Sequence, residues 1–544
     1  MPRLLLGPML RYAGEREATI WVETDGPCTV QVLGYRARTF SVCGHHYALV
    51  RVRGLAPGAV HPYEVALDGQ VVWPEPGSAY PASTIRTSAP GRPARLLFGS
   101  CRLARPHTPP CTLSPDHHDE GRGVDALTAF AEHLRQRPAS ELPDLVLHLG
   151  DQVYSDQPPA PVLDLLRRRR PAVPGPDDEA VDFEEFAALY LDAWSEPSLR
   201  WLLSTVPSLM MFDDHDVHDD WNTSLAWRVE RDRLPWWHDR MIAALMTYWI
   251  YQHLGNLDLD ACAEEGVLDR LEEHVGDATE VLREHAERGH ADPEAVRWSC
   301  RRDLGGSRLV VVDSRAGRVL EPGHRDMLDA FEWRWLEEQL GGDYGHLLIA
   351  STVPVLLPPA LHDLEAWSER VCDGAWGRRP ARWGEAVRQE LDLEHWAAFG
   401  VGFRRLLDLA RQVAAGERGP APATVCLLGG DVHFGYVAEV ARPDGAAPIY
   451  QLVASPMRNR LERRFVVGLR ASLTPAARLL TRTMAAAARA PRPPVGWRLT
   501  HGPWFENHVA DVRLDGREAS LTIREAQPGS HPELRTRLLL RLGE

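Results

Sequence analysis

The sequence predicts an α/β protein in which a small β-sandwich precedes a larger α/β domain. Short β-branched runs separated by turn signals fill residues 1–93. From Arg95 onward, apolar runs recur and each ends abruptly in a polar cluster, with helix-period segments between them. Continuous apolar runs are typical of strands that are buried on both faces, so the second pattern predicts helices packed around a sheet core.

Composition and charge narrow the functional class. The 544 residues include 61 Lys plus Arg against 76 Asp plus Glu, a formal net charge of −15, which excludes general nucleic-acid binding. We find no apolar run of the roughly 18 residues that a membrane span needs. Residues 1–7 contain too short an apolar stretch for a signal peptide and no twin arginine, so we expect a cytoplasmic protein.

The sequence of residues 1–93 predicts a separate β-sandwich domain. Strand-like runs at 18–22 and 28–32 are separated by the turn Asp25-Gly26-Pro27. Leu55-Ala56-Pro57-Gly58, followed by Tyr63 and another strand-like run, resembles a fibronectin type III module with Tyr63 as its corner tyrosine. A Pro-, Gly- and Ser-rich stretch then leads to the expected boundary at 93/94.

Residues 94–544 predict the second domain, with a helical insertion at about 225–300 and a final hairpin around Asp515-Gly516. Its buried strands are expected at residues 96–99, 145–149, 209–212, 309–312, 347–350 and 425–428. Because α/β folds build their sites at the carboxyl ends of strands, the polar residues that follow these runs are the candidate functional residues.

The strongest candidate is the acidic run at 213–220, where five Asp and two His follow a buried strand within eight residues. No Arg lies between Arg200 and Arg228 to offset these charges. Carboxylates that lie close together cannot all stay ionised, so some must be protonated or a cation must be present. Oxygen ligands with imidazole suit Mg²⁺, Ca²⁺, Mn²⁺ or Fe; the alternative is an acidic surface loop.

Two further strands end in Gly-Asp pairs. Gly150 lets the backbone turn so that Asp151 is the first loop residue facing the site, where it can bridge two metals. The second pair leads into Gly430-Asp431-Val432-His433. Each motif alone is weak, because a Gly-Asp pair is a common turn and a lone His is more often structural.

Three motifs together resemble those of the metallophosphoesterase superfamily: a strand followed by Gly-Asp, a strand followed by Asp-His-Asp, and a strand followed by Gly-Asp-x-His. The first block of that superfamily is replaced here by Ser100-Cys101, and Asp431 replaces the first His of the last pair. Cys101, the Gly-Asp-x-x-Tyr signature at 150–154 and Val312-Asp313-Ser314-Arg315 are similar to PhoD-type alkaline phosphatases. The resemblance implies a two-sheet metallophosphoesterase-like domain behind the sandwich.

The resemblance also implies a metal centre with Fe³⁺ and Ca²⁺, for which Mn²⁺ or Mg²⁺ are the alternatives. Cys101 and Tyr154 are then iron ligands, and Asp151 bridges the metals. His433 binds a metal or donates to the phosphate. The remaining expected metal ligands are Asp213 or Asp214, and Asp219 or Asp220.

We expect His215, His433 and Asp431 to be catalytic. Arg458 follows another strand end and is a candidate phosphate clamp, as is Arg315 after residues 309–312. The alternatives are a solvent-facing Arg at 458 and a buried ion pair at 315.

The predicted function is metal-dependent hydrolysis of phosphate mono- or diesters, or both, through a metal-activated water or hydroxide. Its substrate is a small phosphate ester. The alternatives are a phospholipid- or nucleotide-directed phosphodiesterase on the same scaffold, and a non-catalytic metal- or ligand-binding protein.

Residues 458–498 differ in charge from the rest of the chain, with ten Arg and one acidic residue, Glu462. A basic, amphipathic stretch predicts weak contact with an anionic membrane surface or attraction of anionic substrates. The alternative is a pair of ordinary helices whose Arg stems cover apolar surface, since this chain contains no Lys and uses Arg throughout.

Overall fold

The computed structural model describes residues 1–527 and 533–543. Its first region holds two four-stranded sheets, in the orders β1-β2-β6-β5 and β4-β3-β8-β9, and a short β10-β7 pair. The strands are β1 (Leu4–Ala13), β2 (Ala18–Thr24), β3 (Thr29–Val32), β4 (Tyr35–Arg38), β5 (Phe40–Val42), β6 (His45–Val52), β7 (Val60–Pro62), β8 (Val65–Leu67), β9 (Gln70–Trp73) and β10 (Thr84–Arg86).

The two sheets of this region enclose a core of their own. Ile20 and Val50 from one sheet pack with Val30 and Val65 from the other, and all four side chains are buried. The predicted sandwich is therefore present. Tyr63 differs from the corner tyrosine that we expected, because its hydroxyl donates to a backbone carbonyl of the following region rather than within the sandwich.

The second region contains two larger sheets, in the orders β13-β12-β11-β21-β22-β23 and β14-β15-β16-β17-β19-β18-β20. Their strands are β11 (Ala94–Gly99), β12 (Leu145–Leu149), β13 (Ser208–Met211), β14 (Cys300–Leu304), β15 (Ser307–Val312), β16 (His346–Ser351), β17 (Thr424–Gly429), β18 (Gly435–Val440), β19 (Ile449–Val453), β20 (Trp497–Trp504), β21 (His508–Asp515), β22 (Glu518–Gln527) and β23 (Glu533–Leu542).

Strand direction decides where the polar residues gather. β11, β12 and β13 are parallel, and so are β15, β16, β17 and β19. Buried residues of both sheets, including Leu97, Leu147, Val311 and Leu428, belong to one core. All six strands that the apolar runs predict are present, and the final hairpin adds β21 and β22 to the first sheet.

Helices cover the outer faces of the sheets, and α5–α10 occupy most of the segment where a helical insertion was expected. The helices are α1 (Ala126–Leu134), α2 (Ala160–Arg169), α3 (Phe183–Trp194), α4 (Pro197–Thr205), α5 (Leu225–Arg231), α6 (Trp237–Tyr248), α7 (Leu254–Asn256), α8 (Leu259–Glu265), α9 (Val267–Glu273), α10 (Thr279–Ala291), α11 (Ala330–Gln339), α12 (Pro359–Cys372), α13 (Arg378–Glu390), α14 (Gly400–Ala414), α15 (Arg463–Ser472) and α16 (Pro475–Ala487).

A π-helical turn, Trp249–His253, joins α6 to α7, and short 3₁₀ turns lie at Ala139–Glu141, Asp214–Asp216, Pro293–Ala295 and Trp396–Ala398. Over residues 1–527 and 533–543, no helix has both the length and the apolar character required to cross a membrane.

Buried polar contacts join the sandwich to the second region. The Arg11 guanidinium on β1 donates to the backbone carbonyls of Tyr251 and Gln252, at 2.5 and 2.7 Å. The Tyr63 hydroxyl donates to the carbonyl of Ser204 at 2.6 Å. The boundary at 93/94 stays a proposal; β11 begins at Ala94.

We predict that Arg11→Ala lowers the free energy of unfolding by about 3 kcal/mol, because the carbonyls of Tyr251 and Gln252 lose their buried donor. Urea unfolding followed by tryptophan fluorescence measures this change. Arg36→Ala, on the exposed strand β4, is the matched control and should leave the midpoint unchanged. Equal stability of the two variants would contradict a structural role for Arg11.

Candidate metal centre

The carboxyl ends of five strands from the two sheets meet at one edge and supply the candidate site residues. β11 leads into Cys101, β12 into Asp151 and β13 into Asp213. From the other sheet, β17 leads into Asp431 and β15 into Arg315. This convergence follows from the parallel order of the strands and brings together residues that are as much as 330 positions apart in the sequence.

The backbone turns sharply where the strands end. Cys101, Asp151, Asp431 and His433 all adopt positive φ angles, between 53° and 65°. Such conformations are unfavourable for residues other than glycine and persist where the surrounding structure holds them. We therefore interpret these four residues as strained positions that are tolerated because they direct the side chains into the site.

Two glycines permit close approach between the loops. A Cβ on Gly150 would lie 2.4 Å from the Cβ of Asp213, and one on Gly430 would lie 2.5 Å from the Cβ of Ser100. A side chain at either position would push the neighbouring loop away. The Gly-Asp pairs of the sequence are thus required for the spacing of the site as well as for the turn.

The first cluster contains Cys101, Asp151 and His433, whose ligand atoms all lie within 4.8 Å of one another. The Cys101 thiol is fully buried and donates to the carbonyl of Asp431 at 3.4 Å. Burial, with the nearby Asp151 and Asp431 carboxylates, raises the pKa of the thiol well above its ordinary value. Without a cation, Cys101 is therefore a neutral thiol and a poor nucleophile.

Tyr154 lies directly beside this cluster. Its hydroxyl donates to Asp151 Oδ2 at 3.3 Å and accepts from Asn459 Nδ2 at 3.3 Å. The other oxygen of Asp151, Oδ1, is buried and has no hydrogen-bond partner. A buried carboxylate with one unpartnered oxygen, next to a thiol, a phenol and an imidazole, is the donor arrangement expected of a metal site.

A second cluster, Asp151, Asp214 and His215, also has its ligand atoms within 4.8 Å and shares Asp151 with the first. His215 Nδ1 is hydrogen-bonded to Asp156 Oδ1 at 2.9 Å. Burial alone would lower the pKa of His215, but attraction by Asp156, Asp151 and Asp214 outweighs it and raises that pKa well above its ordinary value.

Asp216, in the middle of the acidic run, joins the loops after β12 and β13 through hydrogen bonds and belongs to none of the candidate metal clusters among the described residues. Its carboxylate accepts from the backbone N–H groups of Asp151, Gln152, Val153 and Asp213, at 2.9 to 3.2 Å. Burial raises its pKa to about 6, although these donors favour the charged form. One of the five Asp residues therefore fixes the distance between the β12 and β13 loops.

Arg315 neutralises the opposite side of the acidic run. Its guanidinium is fully buried, forms an ion pair with Asp213, lies 3.2 Å from Asp214 and donates to Glu394 at 2.6 Å. Burial would lower the pKa of Arg315, but these carboxylates raise it well above its ordinary value. No arginine lies close to the acidic run in the sequence. The fold brings Arg315 to it from the end of β15.

Asp431 forms a short relay with two residues that the sequence did not single out. Its Oδ2 lies 3.2 Å from His395 Nε2, and Glu365 holds the Nδ1 of that histidine at 2.6 Å. Burial would raise the pKa of Asp431, but His395 and Arg315 outweigh it and hold the pKa well below its ordinary value. Asp431 is therefore an ionised carboxylate with a fixed orientation.

Three predicted residues lie outside the two clusters that contain Asp151. Asp219 belongs to a further candidate cluster with Asp156 and His215; it lies 3.7 Å from His215 Nε2, and its side chain is 57% exposed. Asp220 belongs to none of the candidate metal clusters found among the described residues. The Arg458 guanidinium is fully buried, and each of its three nitrogens donates to a backbone carbonyl, of residues 105, 106 and 123, so the group is directed into the protein.

Sequence reasoning did not identify Asp156, Glu394, His395 and Asn459 as site residues. Asp156 lies two residues after Tyr154, so the signature at 150–154 could have indicated it. The other three lie in loops with no motif of their own, and only the fold brings them to the site.

The donor set fits bound metal ions. Cys101, Asp151, Tyr154 and His433 present sulfur, oxygen and nitrogen donors around the unpartnered Asp151 oxygen. Asp214 and His215 add donors on the other side of Asp151, where one oxygen of Asp214 is also buried without a hydrogen bond. Arg315 reduces the negative charge that a second cation has to balance.

We predict that Arg315→Met lowers the free energy of unfolding of the metal-depleted protein by about 3–5 kcal/mol at about pH 7. Arg315 and Arg318 outweigh burial and hold the pKa of Glu394 at about 2. Stabilisation from a lowered carboxyl pKa is complete above the unfolded pKa of about 4.3 and is lost as the pH falls towards the folded value.

The deficit of Arg315→Met should therefore shrink when urea unfolding is repeated at about pH 3, between the unfolded and folded pKa values of Glu394. Arg411→Met is the control, because Arg411 pairs with Asp408 and both side chains are exposed, at 43% and 49%. A deficit that is independent of pH would show that Arg315 stabilises the fold through packing alone.

Comparisons with known proteins agree with the geometry. Residues 1–85 match a domain of unknown function (DUF7800), and residues 124–262 match the PhoD-like phosphatase family. No curated protein matches the chain.

Among solved structures, one titled "Structure of PhoD" is 13% identical and aligns with a TM-score of 0.60 over 99% of this chain and 90% of that chain. The purple acid phosphatase PPD1 from yellow lupin (Lupinus luteus) seeds is 11% identical, with a TM-score of 0.43 over 96% of this chain and 71% of that one.

The family match and the fold shared with PhoD confirm the predicted resemblance. Residues 124–262 include Asp151, Tyr154 and the whole acidic run, so the match falls on the centre described above. The chain carries a region that matches the PhoD-like phosphatase family, which supports a phosphoric ester hydrolase, and its candidate ligand clusters support metal dependence.

Proposed function

We propose that the protein hydrolyses small phosphate mono- or diesters, or both, at a two-metal centre built around Asp151. The observation that carries this proposal is that Asp151 belongs to two adjacent clusters of potential ligands. A carboxylate shared in this way can bridge two cations through its two oxygens. The non-catalytic alternative is not retained, because the phosphatase match includes Asp151 and the acidic run.

For the first metal we propose Fe³⁺, held by Cys101, Tyr154, Asp151 and His433. Thiolate and phenolate are anionic donors that suit a trivalent ion, and a bound ion lowers the pKa of both groups. For the second we propose Ca²⁺ at Asp151 and Asp214, with Mn²⁺ or Mg²⁺ as the alternatives. Asp213 is paired with Arg315, and Asp219 and Asp220 lie outside this cluster, so we assign none of the three a direct bond to metal.

When bound, the ions supply positive charge to the phosphate oxygens and lower the pKa of the attacking water. His215 faces the same space from the β13 loop. Its Nδ1 is fixed by Asp156, which leaves Nε2 as the nitrogen that can donate to the phosphate or to the leaving oxygen. Attraction by the surrounding carboxylates favours the protonated form that such a donor needs.

His433 has a different role in this proposal. It lies within 4.8 Å of Cys101 and Asp151, and burial lowers its pKa to about 4, so the ring is neutral and able to bind a metal. Asp431 and its partner His395 orient this loop. Arg315 and Arg458 are both fully buried. The Arg315 guanidinium lies among carboxylates, with Nη2 free of a hydrogen bond and 3.2 Å from Asp214, and Arg458 donates to three backbone carbonyls, so we assign neither a contact with the substrate.

We predict that Asp151→Asn lowers kcat/KM by about 10³-fold or more on p-nitrophenyl phosphate and bis-p-nitrophenyl phosphate, because the shared ligand loses its charge. Bound metal, measured by plasma mass spectrometry, should fall in parallel. Asp444→Asn, at an exposed loop position, is the control and should behave as wild type. Full wild-type activity on both esters after exhaustive chelation and desalting would refute the proposal.

A second prediction separates the ligand role of Cys101 from a nucleophilic one. If Cys101 and Tyr154 bind Fe³⁺, the protein absorbs visible light through charge transfer, and Cys101→Ser shifts or abolishes that band together with the iron. Cys426→Ser, at another buried thiol on β17, should retain both. A colourless wild-type protein with no stoichiometric iron would favour Mn²⁺ or Mg²⁺ and would overturn the iron assignment.

A further inference from the structure

The segment from Arg463 to Arg492 folds into two helices, α15 and α16, which we call the basic hairpin. No residue of α15 is buried, and Ala485 is the single buried residue of α16. Helices in globular proteins normally bury an apolar stripe, so this degree of exposure is unusual for a helix that contains apolar side chains.

The basic hairpin is attached along one side only. Val466 and Leu469 of α15 are half-buried against the core of the second sheet. On α16, Ala485 packs with Trp367 and Val371 of α12. These contacts fix the position of the hairpin and, within the described part of the chain, leave several of its large apolar side chains more than half exposed.

Four large apolar side chains of the basic hairpin are more than half exposed. Phe465 is 52% exposed, Val467 59%, Leu479 69% and Leu480 61%. Single exposed apolar side chains are common on protein surfaces. Several in one short segment indicate a surface that binds a membrane or another protein.

The same segment carries a positive charge that the rest of the protein balances only in part, through Asp363 of α12, which lines one cavity with Arg478 and Arg482. Seven arginines lie on it: Arg463, Arg464, Arg470, Arg478, Arg482, Arg489 and Arg492. Among the described residues, the only one of them within 4.0 Å of a carboxylate is Arg464, which pairs with the neighbouring Glu462. The chain as a whole has a net charge of −15, so a basic surface here is a local feature.

The basic hairpin lies next to the metal centre. It begins four residues after Asn459, whose amide donates to the Tyr154 hydroxyl at 3.3 Å. Arg470 lies over the ring of Phe505, and that ring lies 6.1 Å from Phe434, the residue after His433. A surface on which the hairpin rested would therefore adjoin the edge of the sheets where the site is built.

We propose that the basic hairpin docks the protein on an anionic phospholipid bilayer, with its exposed leucines, valine and phenylalanine in the interface and its arginines among the headgroups. Exposed apolar side chains flanked by unpaired basic ones are the chemistry of helices that lie in a membrane interface. Charge complementarity favours this anionic partner over a basic or neutral one. The inference is independent of the substrate and metals proposed above.

The test uses the full chain and vesicles of phosphatidylcholine, with or without phosphatidylserine, in a sedimentation assay. Wild type should bind the phosphatidylserine vesicles at low salt, leave the neutral vesicles unbound and dissociate as salt is added. Arg478→Ala plus Arg482→Ala should weaken binding roughly 30-fold, and Leu479→Ser plus Leu480→Ser should weaken it without changing its salt dependence.

Matched controls lie elsewhere on the surface. Arg167→Ala plus Arg168→Ala removes two exposed arginines of α2, and Leu539→Ser removes a leucine that is 71% exposed on β23. Both controls should bind as wild type does, and all variants should keep wild-type kcat/KM on p-nitrophenyl phosphate.

Failure of wild type to bind phosphatidylserine vesicles at low salt would overturn the proposal, as would equal binding to neutral vesicles or equal weakening by the controls. If light scattering instead shows a dimer that Leu479→Ser plus Leu480→Ser dissociates, the hairpin covers a second copy of the chain and the membrane proposal is wrong. None of these outcomes depends on phosphatase activity.

Discussion

Repulsion between buried carboxylates at the edge of the two sheets is the constraint on which the site depends. Four carboxylates belong to neighbouring candidate clusters in which the ligand atoms lie within 4.8 Å of one another: Asp151, Asp213, Asp214 and Asp431. Their side chains are buried or mostly buried. Buried charges of one sign are tolerated only when they are protonated or neutralised. The fold meets this requirement in two different ways on the two sides of the cluster.

On one side the protein supplies its own cation, because Arg315 contacts Asp213, Asp214 and Glu394. On the other side, around Asp151, the neighbours are a thiol, a phenol and imidazoles, and one carboxylate oxygen has no partner. A metal ion is the group that can satisfy these donors together. Arg315 balances only part of the charge on its own side, because one oxygen each of Asp213 and Asp214 is also buried without a hydrogen bond.

The geometry of the centre is held by the backbone as much as by side chains. Cys101, Asp151, Asp431 and His433 occupy left-handed conformations, each of which costs about 1–3 kcal/mol for a strained residue. Asp216 offsets part of this strain by accepting hydrogen bonds from the β12 and β13 loops. Ligands on such constrained turns are preorganised, so binding a cation requires little rearrangement.

The sequence was sufficient to predict the strand ends, because a buried strand forms a local apolar run. The polar residue that follows such a run can be recognised from the sequence alone. Asp151, Asp214, His215 and His433 were identified in this way. Side-chain direction was not predictable: Arg458 follows a strand end, yet its guanidinium turns into the protein and binds carbonyls. Residues such as His395 have no local signal, since only the packing of distant loops brings them near Asp431.

Location of bound metal in crystals by anomalous scattering tests the central claim most directly. The account predicts an anomalous peak within bonding distance of the Asp151 carboxylate on the side of Cys101 and His433, with a second cation on the side of Asp214. The guanidinium of Arg315 should remain between Asp213 and Glu394 in the same crystals. Metal bound elsewhere, with the Asp151 carboxylate free of it, would contradict the account.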